Sequence, residues 1–98
     1  MDLFKDIAGF DWDAGNRDKN FLKHRVTNEE CEEVFFDPHK RVIKANWQGG
    51  REERHILIGR TGEGRPLFIV FIIRGNKIRV VSARDLNRKE RRFYEEEN

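Results

Sequence analysis

The first third of the chain carries two short amphipathic patterns that predict helices. Asp13 stands before the first pattern, and its carboxylate suits the free amides of a first helical turn, which predicts a helix from residue 14 to about residue 24. The second pattern begins at a capping box, in which Thr27 is followed three residues later by Glu30. Apolar residues then recur at helical spacing as far as Asp37-Pro38, where the proline ends the helix.

The rest of the chain alternates between apolar and polar positions in a way that predicts strands. Four strands are predicted, at residues 41–47, 54–60, 67–73 and 78–84, and a short extended segment at residues 10–12 precedes the helices. Gly49-Gly50 predicts a turn after the first of the four strands. Gly75-Asn76 predicts a two-residue hairpin turn before the last. Strand 67–73 is apolar on both faces, as expected of a central strand.

The order of these elements predicts an α+β fold. Short turns between consecutive strands favour a four-stranded antiparallel sheet. The two N-terminal helices are expected to pack on one face of this sheet, because its apolar side must be buried. A third helix is predicted at residues 88–96, where Asn87 and Glu90 repeat the capping spacing. At 98 residues the chain has room for one domain, residues 1–98, whose other sheet face we expect to stay open to a substrate.

Composition excludes several classes of protein. The residues are 37% hydrophobic and 39% charged, and no stretch approaches the ~20 apolar residues that span a bilayer, so no membrane partner is expected. The N-terminal residues lack a basic region followed by an apolar stretch, which predicts no signal peptide and a cytoplasmic location. The single cysteine, Cys31, lies on the apolar side of the second helix, which predicts a buried thiol rather than a nucleophile.

Charge is distributed unevenly along the chain. Residues 1–37 contain five Lys or Arg and ten Asp or Glu, whereas residues 38–98 contain fifteen and eight. The basic part predicts a surface for a polyanion such as RNA. The three histidines are widely spaced and the common nucleotide-binding and metal-binding motifs are absent, so we expect neither a metal ion nor a cofactor.

RNA cleavage is a reaction for which these residue types suffice without a metal. The 2′-hydroxyl of the RNA is the nucleophile, so the protein has to orient it, move its proton and stabilise the charge on the phosphate. Arginine suits the phosphate because its planar guanidinium group matches two phosphate oxygens. We rank Arg84 first for this role, since it precedes the basic C-terminal helix, and Arg79 and Arg54 next. The candidates for proton transfer are Glu53, His55 and His24.

Strand alternation leaves two groupings of these residues open. Neighbouring side chains of a strand point to opposite faces, so Glu53 and His55 share a face that Arg54 does not. Arg79 likewise faces away from Arg84 unless a bulge intervenes. The site therefore consists either of Glu53, His55 and Arg79 or of Arg54 and Arg84. The candidates for binding the RNA backbone are Lys23, Lys44, Arg88, Arg91 and Tyr94.

Four segments in series resemble the BrnT family of toxins. They are Phe10-Asp11-Trp12-Asp13 with Asn20, Lys23-His24 and Val26; Glu33-Val34-Phe35-Phe36-Asp37-Pro38; Glu53-Arg54 with Ile58-Gly59; and Arg79-Val80-Val81-Ser82-Ala83-Arg84 followed by Arg88, Glu90-Arg91 and Tyr94. Together these segments span nearly the whole chain in one order. The chain departs from the family pattern at Arg25 and at Asn28-Glu29, and neither departure removes a candidate site residue.

The resemblance implies a RelE-like fold and a metal-independent endoribonuclease that cleaves RNA and inhibits translation. It also implies neutralisation by a BrnA-like antitoxin of the ribbon-helix-helix type, so that operator DNA is contacted only through the complex of the two proteins. Two alternatives stay open. One is a catalytically inactive member that binds its antitoxin and acts only as a corepressor, and the other is a non-enzymatic nucleic-acid-binding module.

Overall fold

A five-stranded mixed sheet organises the computed structural model of this chain, which describes residues 3–45 and 52–96. The elements in chain order are β1 (Gly9–Phe10), α1 (Lys19–His24), α2 (Asn28–Val34), β2 (Arg41–Lys44), β3 (His55–Arg60), β4 (Pro66–Arg74), β5 (Lys77–Asp85) and α3 (Arg88–Glu96). The strand order is β1-β5-β4-β3-β2, so the doubly apolar β4 is the central strand, as predicted. The α+β class is also confirmed. No helix of the described residues is long and apolar enough to cross a membrane.

The predicted four-stranded antiparallel sheet is wrong because an additional strand joins it. Strand β1 lies parallel to β5, with Gly9 opposite Lys77 and Phe10 opposite Ile78. The amide of the next residue, Asp11, continues this pairing by donating to the carbonyl oxygen of Ile78 at 2.8 Å. A two-residue strand has no periodicity of its own, so its pairing depends on tertiary contacts. The other neighbouring strands are antiparallel.

Helix α1 begins at Lys19 and is shorter than the predicted helix from residue 14. Asp13 does accept a hydrogen bond from the amide of Gly15, at 2.8 Å, but this bond closes a turn. Asp18 then adopts a left-handed conformation with φ 59°, which interrupts any continuous helix. The predicted strand 41–47 appears as β2, while its last residues and the predicted turn at Gly49-Gly50 lie outside the described residues.

The main core lies between α1, α2 and one face of the sheet, which we call the helix face. Its fully buried side chains include Val26, Cys31, Val34, Leu57, Leu67, Ile69, Phe71 and Ala83. Cys31 is thereby confirmed as buried, and burial raises the pKa of its thiol to about 12. The capping box of α2 is confirmed too, since Thr27 Oγ1 accepts from the Glu30 amide and Glu30 Oε1 accepts from the Thr27 amide, each at 3.0 Å.

The opposite face of the sheet, which we call the outer face, is covered only in part. The side chains of Leu86 and Tyr94 pack against Ile58 and Phe68. Leu86 directly follows β5, and Tyr94 belongs to α3. Helix α3 therefore closes one end of this face. Further along the same face Ile43 keeps 39% of its surface exposed. The expectation of an open second face holds for that part of the sheet and not for the end under α3.

Two buried asparagines complete the edge of β5 beyond the short strand β1. Asn16 donates from Nδ2 to the carbonyl oxygen of Val80 at 3.2 Å. Asn20 accepts at Oδ1 from the amide of Ala83 at 2.9 Å. Buried backbone groups need partners, and β1 is too short to supply them here. These side chains fix the part of β5 that carries the candidate arginines.

Candidate functional site

A β-bulge in β5 decides which of the candidate residues share a face. Val80 and Ser82 pair with consecutive residues of β4, so Val81 between them has no partner across the sheet. An extra residue shifts the alternation of side chains by one position. Arg79 and Arg84 therefore both lie on the outer face, opposite two β4 residues of that face.

The bulge changes the groupings that strand alternation had left open. His55 pairs with Phe71 of the core and stacks on its ring, with 5.3 Å between the ring centroids, so His55 lies on the helix face. Arg54 precedes it and falls on the outer face, with Arg79 and Arg84. The grouping of Glu53 and His55 with Arg79 is wrong, because His55 aligns through Phe71 with Val80, and Arg79 next to Val80 points to the other face.

Several charged groups lie near Asp85, the last residue of β5. They come from α1, from α3 and from the segment before β4. Arg65 binds this carboxylate through Nε at 2.8 Å and Nη2 at 3.1 Å, and its Nη2 also donates to the carbonyl oxygen of His24 at 3.3 Å. The hydrogen bonds from Arg65 hold the pKa of Asp85 below its usual value, and the charges of Arg91 and His24 act in the same direction. The end of α1 and the first turn of α3 therefore both lie near Asp85.

Several predicted site residues belong to the parts of α1, β5 and α3 that lie nearest to Asp85. We call them the basic rim: Lys23, His24, Arg84, Arg88 and Arg91. Lys23 and His24 form the exposed last turn of α1. Arg88 and Arg91 line an open hollow of about 500 Å³ along α3. Within residues 3–45 and 52–96, no carboxylate lies at ion-pair distance from Lys23, Arg88 or Arg91.

Arg84 is oriented by two contacts and remains accessible. Its Nη1 and Nη2 donate to the two carboxylate oxygens of Glu90 at 2.8 and 2.9 Å. Its guanidinium carbon lies 4.1 Å from the centroid of the Phe68 ring. Glu90 also closes the cap of α3, since it accepts from the Asn87 amide at 2.9 Å. The Arg84 side chain is 38% exposed, so a phosphate can reach a guanidinium group that is already oriented.

Arg79 is neutralised more completely than Arg84. Its Nη1 and Nη2 donate to the carboxylate of Asp13 at 3.0 and 2.9 Å, and Asp11 lies 3.5 Å away. Only 14% of the Arg79 side chain is exposed. The close approach depends on Gly15, because a Cβ there would lie 3.0 Å from Arg79 Nη2. Arg79 thus fastens the loop after β1 to the sheet.

Arg54 belongs to the same region of the outer face as Arg79. Arg74 binds Glu52 through two hydrogen bonds, at 2.8 and 3.0 Å. These bonds lower the pKa of Glu52, and the charges of Arg79 and Arg54 add to the effect. Three arginines and one glutamate are therefore neighbours at the start of β5.

The predicted proton carriers Glu53 and His55 lie on the helix face with Lys44. Lys44 Nζ is 2.9 Å from Glu53 Oε1, and His55 Nε2 is 3.9 Å from Glu53 Oε2. The contact with Lys44 lowers the pKa of Glu53. The His55 side chain is only 12% exposed. Across the described part of the chain, no three His, Cys, Asp or Glu side chains are grouped so as to hold a metal ion.

Tyr94, a predicted RNA contact, is 6% exposed. Its hydroxyl donates to Asp37 Oδ2 at 2.7 Å, and the same oxygen accepts from the amide of Arg60 at 2.8 Å. The ring packs in the small cluster under α3. Contact with RNA stays a prediction for Tyr94, and its surroundings identify a structural role.

Sequence reasoning missed the carboxylates that hold the arginines. Asp13 is 66 positions from Arg79, and Asp85 is 20 positions from Arg65, so no local spacing indicates either pair. Glu90 is different, because its position three residues after Asn87 already marks it as part of a cap. Its second role, holding Arg84, becomes visible only when α3 is placed against the sheet.

Comparison with known proteins assigns the chain to a family. The family model described as "Ribonuclease toxin, BrnT, of type II toxin-antitoxin system" matches residues 12–90. The match runs from Trp12 to Glu90 and includes the candidate residues of the sheet and of α1, while Arg91 and Tyr94 lie beyond it. No curated protein sequence matches the chain. The resemblance found in the sequence is thus confirmed, and the chain belongs to the BrnT family of ribonuclease toxins of type II toxin–antitoxin systems.

Proposed function

We propose that this toxin is a metal-independent endoribonuclease that cleaves RNA in the cytoplasm and thereby inhibits translation. The observation that carries the proposal is the basic rim, where α1 and α3 bring a histidine and several cations together at the end of β5. The RelE-like character of the fold is part of the same proposal. It is supported by the antiparallel strands β2 to β5, which have helices against both faces of the sheet.

The reaction needs little from the protein beyond positioning, charge and proton transfer. The 2′-oxygen attacks the adjacent phosphorus and gives up its proton to a base, while the bond from phosphorus to the 5′-oxygen breaks and that oxygen takes up a proton. The products are a 2′,3′-cyclic phosphate and a free 5′-hydroxyl. Negative charge grows on the non-bridging oxygens during the attack, and a fixed cation beside them lowers the barrier.

Arg84 is the candidate for this cation. Glu90 and Phe68 hold its guanidinium group in one direction, so little reorganisation is needed when a phosphate arrives. A phosphate has to share or displace the Glu90 carboxylate, and the negative charge that grows on its non-bridging oxygens during the attack favours that exchange. Arg79 and Arg54 are the second candidates, and the carboxylate of Asp13 makes Arg79 the weaker phosphate ligand of the set.

His24 is the best placed of the predicted proton carriers. It is exposed at the end of α1 and belongs to the basic rim. His55 is nearly buried against Phe71, and Glu53 is bound to Lys44. An imidazole serves as both base and acid in successive proton transfers, which is what this reaction requires.

The remaining members of the basic rim are candidates for binding the flanking phosphates. Lys23, Arg88 and Arg91 are exposed and have no acidic partner at ion-pair distance in the described chain, so each offers its charge to the RNA backbone. Lys44 lies beside Glu53 on the helix face. It would contact RNA only if the RNA strand wrapped around the edge of the β-sheet.

Membership of a type II system implies a protein antitoxin. We propose that this antitoxin is a BrnA-like protein of the ribbon-helix-helix type, and that operator DNA is bound only through the complex. Its presence explains how a host tolerates the ribonuclease.

Single-turnover cleavage of RNA by purified variants tests the catalytic assignment. Arg84→Ala is expected to lower the rate by ~10²–10³-fold, as for the loss of a donor to a developing oxyanion. His24→Ala should also lower the rate, whereas Arg79→Ala and Arg54→Ala should act less strongly. Lys77→Ala is a matched control, because Lys77 is an exposed cation at the opposite end of β5.

EDTA is expected to leave the rate unchanged, and inhibition by EDTA would contradict the metal-free mechanism. A folded Arg84→Ala protein that cleaves at the unmutated rate would remove Arg84 from the site. An unmutated chain that binds its antitoxin but cleaves no RNA would instead support the corepressor alternative.

A further inference from the structure

Phe36 is the most exposed aromatic side chain among the described residues, with 77% of its surface accessible, whereas its neighbour Phe35 is 7% exposed. It lies two residues after the end of α2, on the helix-face side of the molecule. Nothing in the packing of the domain requires an aromatic ring in this position. An exposed ring next to an open apolar hollow is typical of a surface that binds another molecule.

Phe36 separates two hollows and lines both. The first, which we call the aromatic groove, has a volume of about 340 Å³ and is lined mainly by Phe4, Phe10, Phe35, Phe36 and Lys40. The second has a volume of about 460 Å³, and Glu33, Pro38 and Arg60 contribute to its walls. A chain that crossed Phe36 would therefore place side chains in a hollow on each side of the ring.

Lys40 is the charged residue of the aromatic groove. Its Nζ lies 5.8 Å from the centroid of the Phe4 ring, and in the chain as described no carboxylate is at ion-pair distance from it. An occupant that is apolar and carries one carboxylate would bury the rings and pair with Lys40. This complementarity favours a protein segment, because apolar side chains of one segment can fill the groove while a carboxylate of the same segment reaches Lys40.

We infer that the antitoxin of the pair docks on this surface, with apolar side chains in the aromatic groove and a carboxylate beside Lys40. The family requires a protein partner, and an amphipathic segment laid into a hydrophobic groove is a recurrent way to bind one. The groove lies on the side of the sheet away from Arg79 and Arg84, so docking and RNA cleavage are separable by mutation. The inference rests on family membership and not on the proposed RNA chemistry.

Binding of the co-encoded antitoxin to purified toxin variants, measured by calorimetry, tests this assignment. Phe36→Ser and Lys40→Glu are each expected to weaken binding at least ~10-fold, as for central anchors of an interface. Leu22→Ser is the matched control, because Leu22 is 82% exposed on α1 and lines neither hollow. All three variants should keep the RNA-cleavage rate of the unmutated chain if that chain cleaves RNA.

Three outcomes would overturn the inference. The first is antitoxin affinity unchanged in both Phe36→Ser and Lys40→Glu. The second is a free toxin that dimerises in solution and is made monomeric by Phe36→Ser, which would identify a second copy of the chain as the occupant. The third is loss of RNA binding with antitoxin affinity intact. If thermal denaturation shows that Phe36→Ser does not fold, the antitoxin affinity of Lys40→Glu alone tests the inference.

Discussion

The hydroxyl of Tyr94 offers a direct test of how α3 is held. Tyr94→Phe removes one oxygen atom and leaves the buried ring in place. The lost hydrogen bond, 2.7 Å long, ends on the Asp37 carboxylate, which also accepts from the amides of Arg60 at 2.8 Å and His39 at 2.9 Å. Because a charged acceptor loses one of three donors, we expect a cost of about 1.5–2 kcal/mol in the free energy of unfolding. For a domain of this size that cost lowers Tm by roughly 6–16 °C.

The pH dependence of this cost follows from the ionisation of Asp37 and of Tyr94. Burial acts to raise the pKa of Asp37, but the hydrogen bonds from Tyr94 and the two amides outweigh it and hold the pKa below 3.8. The stabilisation that ionised Asp37 contributes is therefore complete above pH 3.8 and is lost as pH falls through the lowered pKa of Asp37. Burial, together with the bond to Asp37, raises the pKa of Tyr94 from 10.0 to about 12. At the alkaline end the stabilisation is present below 10.0 and disappears as pH rises to about 12.

Urea denaturation followed by circular dichroism, from acidic to alkaline pH, measures this difference between the two proteins. The cost of Tyr94→Phe should be constant over the neutral range and shrink at both ends. A double-mutant cycle with Asp37→Asn isolates the coupling, which should account for most of the cost. Equal stability of the two proteins at neutral pH would refute the argument. A Tyr94→Phe protein of unchanged stability that bound RNA more weakly would support the RNA contact predicted for Tyr94.

Three further predictions concern stability. Gly59→Ala should lower the free energy of unfolding in urea by about 1–3 kcal/mol, because the new Cβ would lie 2.9 Å from a methyl group of Val34 in α2. Unchanged stability would show that α2 can shift at no measurable cost. Asn20→Ala should cost about 1–3 kcal/mol, since the buried amide of Ala83 loses its acceptor, and rapid hydrogen exchange at Ala83 should accompany the loss. The hydrogen bonds from Arg84 lower the pKa of Glu90 below 4.5, so Glu90→Gln should reduce Tm at neutral pH, and a difference that persisted at about pH 2 would contradict this reading.

Local signals in the sequence determined most of the individual elements. The capping box at Thr27 and the turn at Gly75-Asn76 both involve residues within four positions of one another, so their geometry follows from short-range sterics and hydrogen bonds. The apolar run of β4 identified the central strand, because only a strand covered on both faces can be apolar on both. The residue types of the candidate site were also available, since charge and hydrogen-bonding capacity belong to the side chain alone.

Tertiary structure decided how those residues are combined. Strand β1 has only two residues and acquires its partner through a parallel pairing that no local pattern encodes. The bulge at Val81 has no sequence signature of its own, yet it brings Arg84 to the face of Arg79, and the register of β3, β4 and β5 separates both from His55. The meeting of His24 with Arg91 around Asp85 depends on where α1 and α3 pack. Side-chain chemistry is a property of single residues, whereas proximity is set by contacts between segments far apart in the chain, and for that reason the site could be listed from the sequence but not assembled from it.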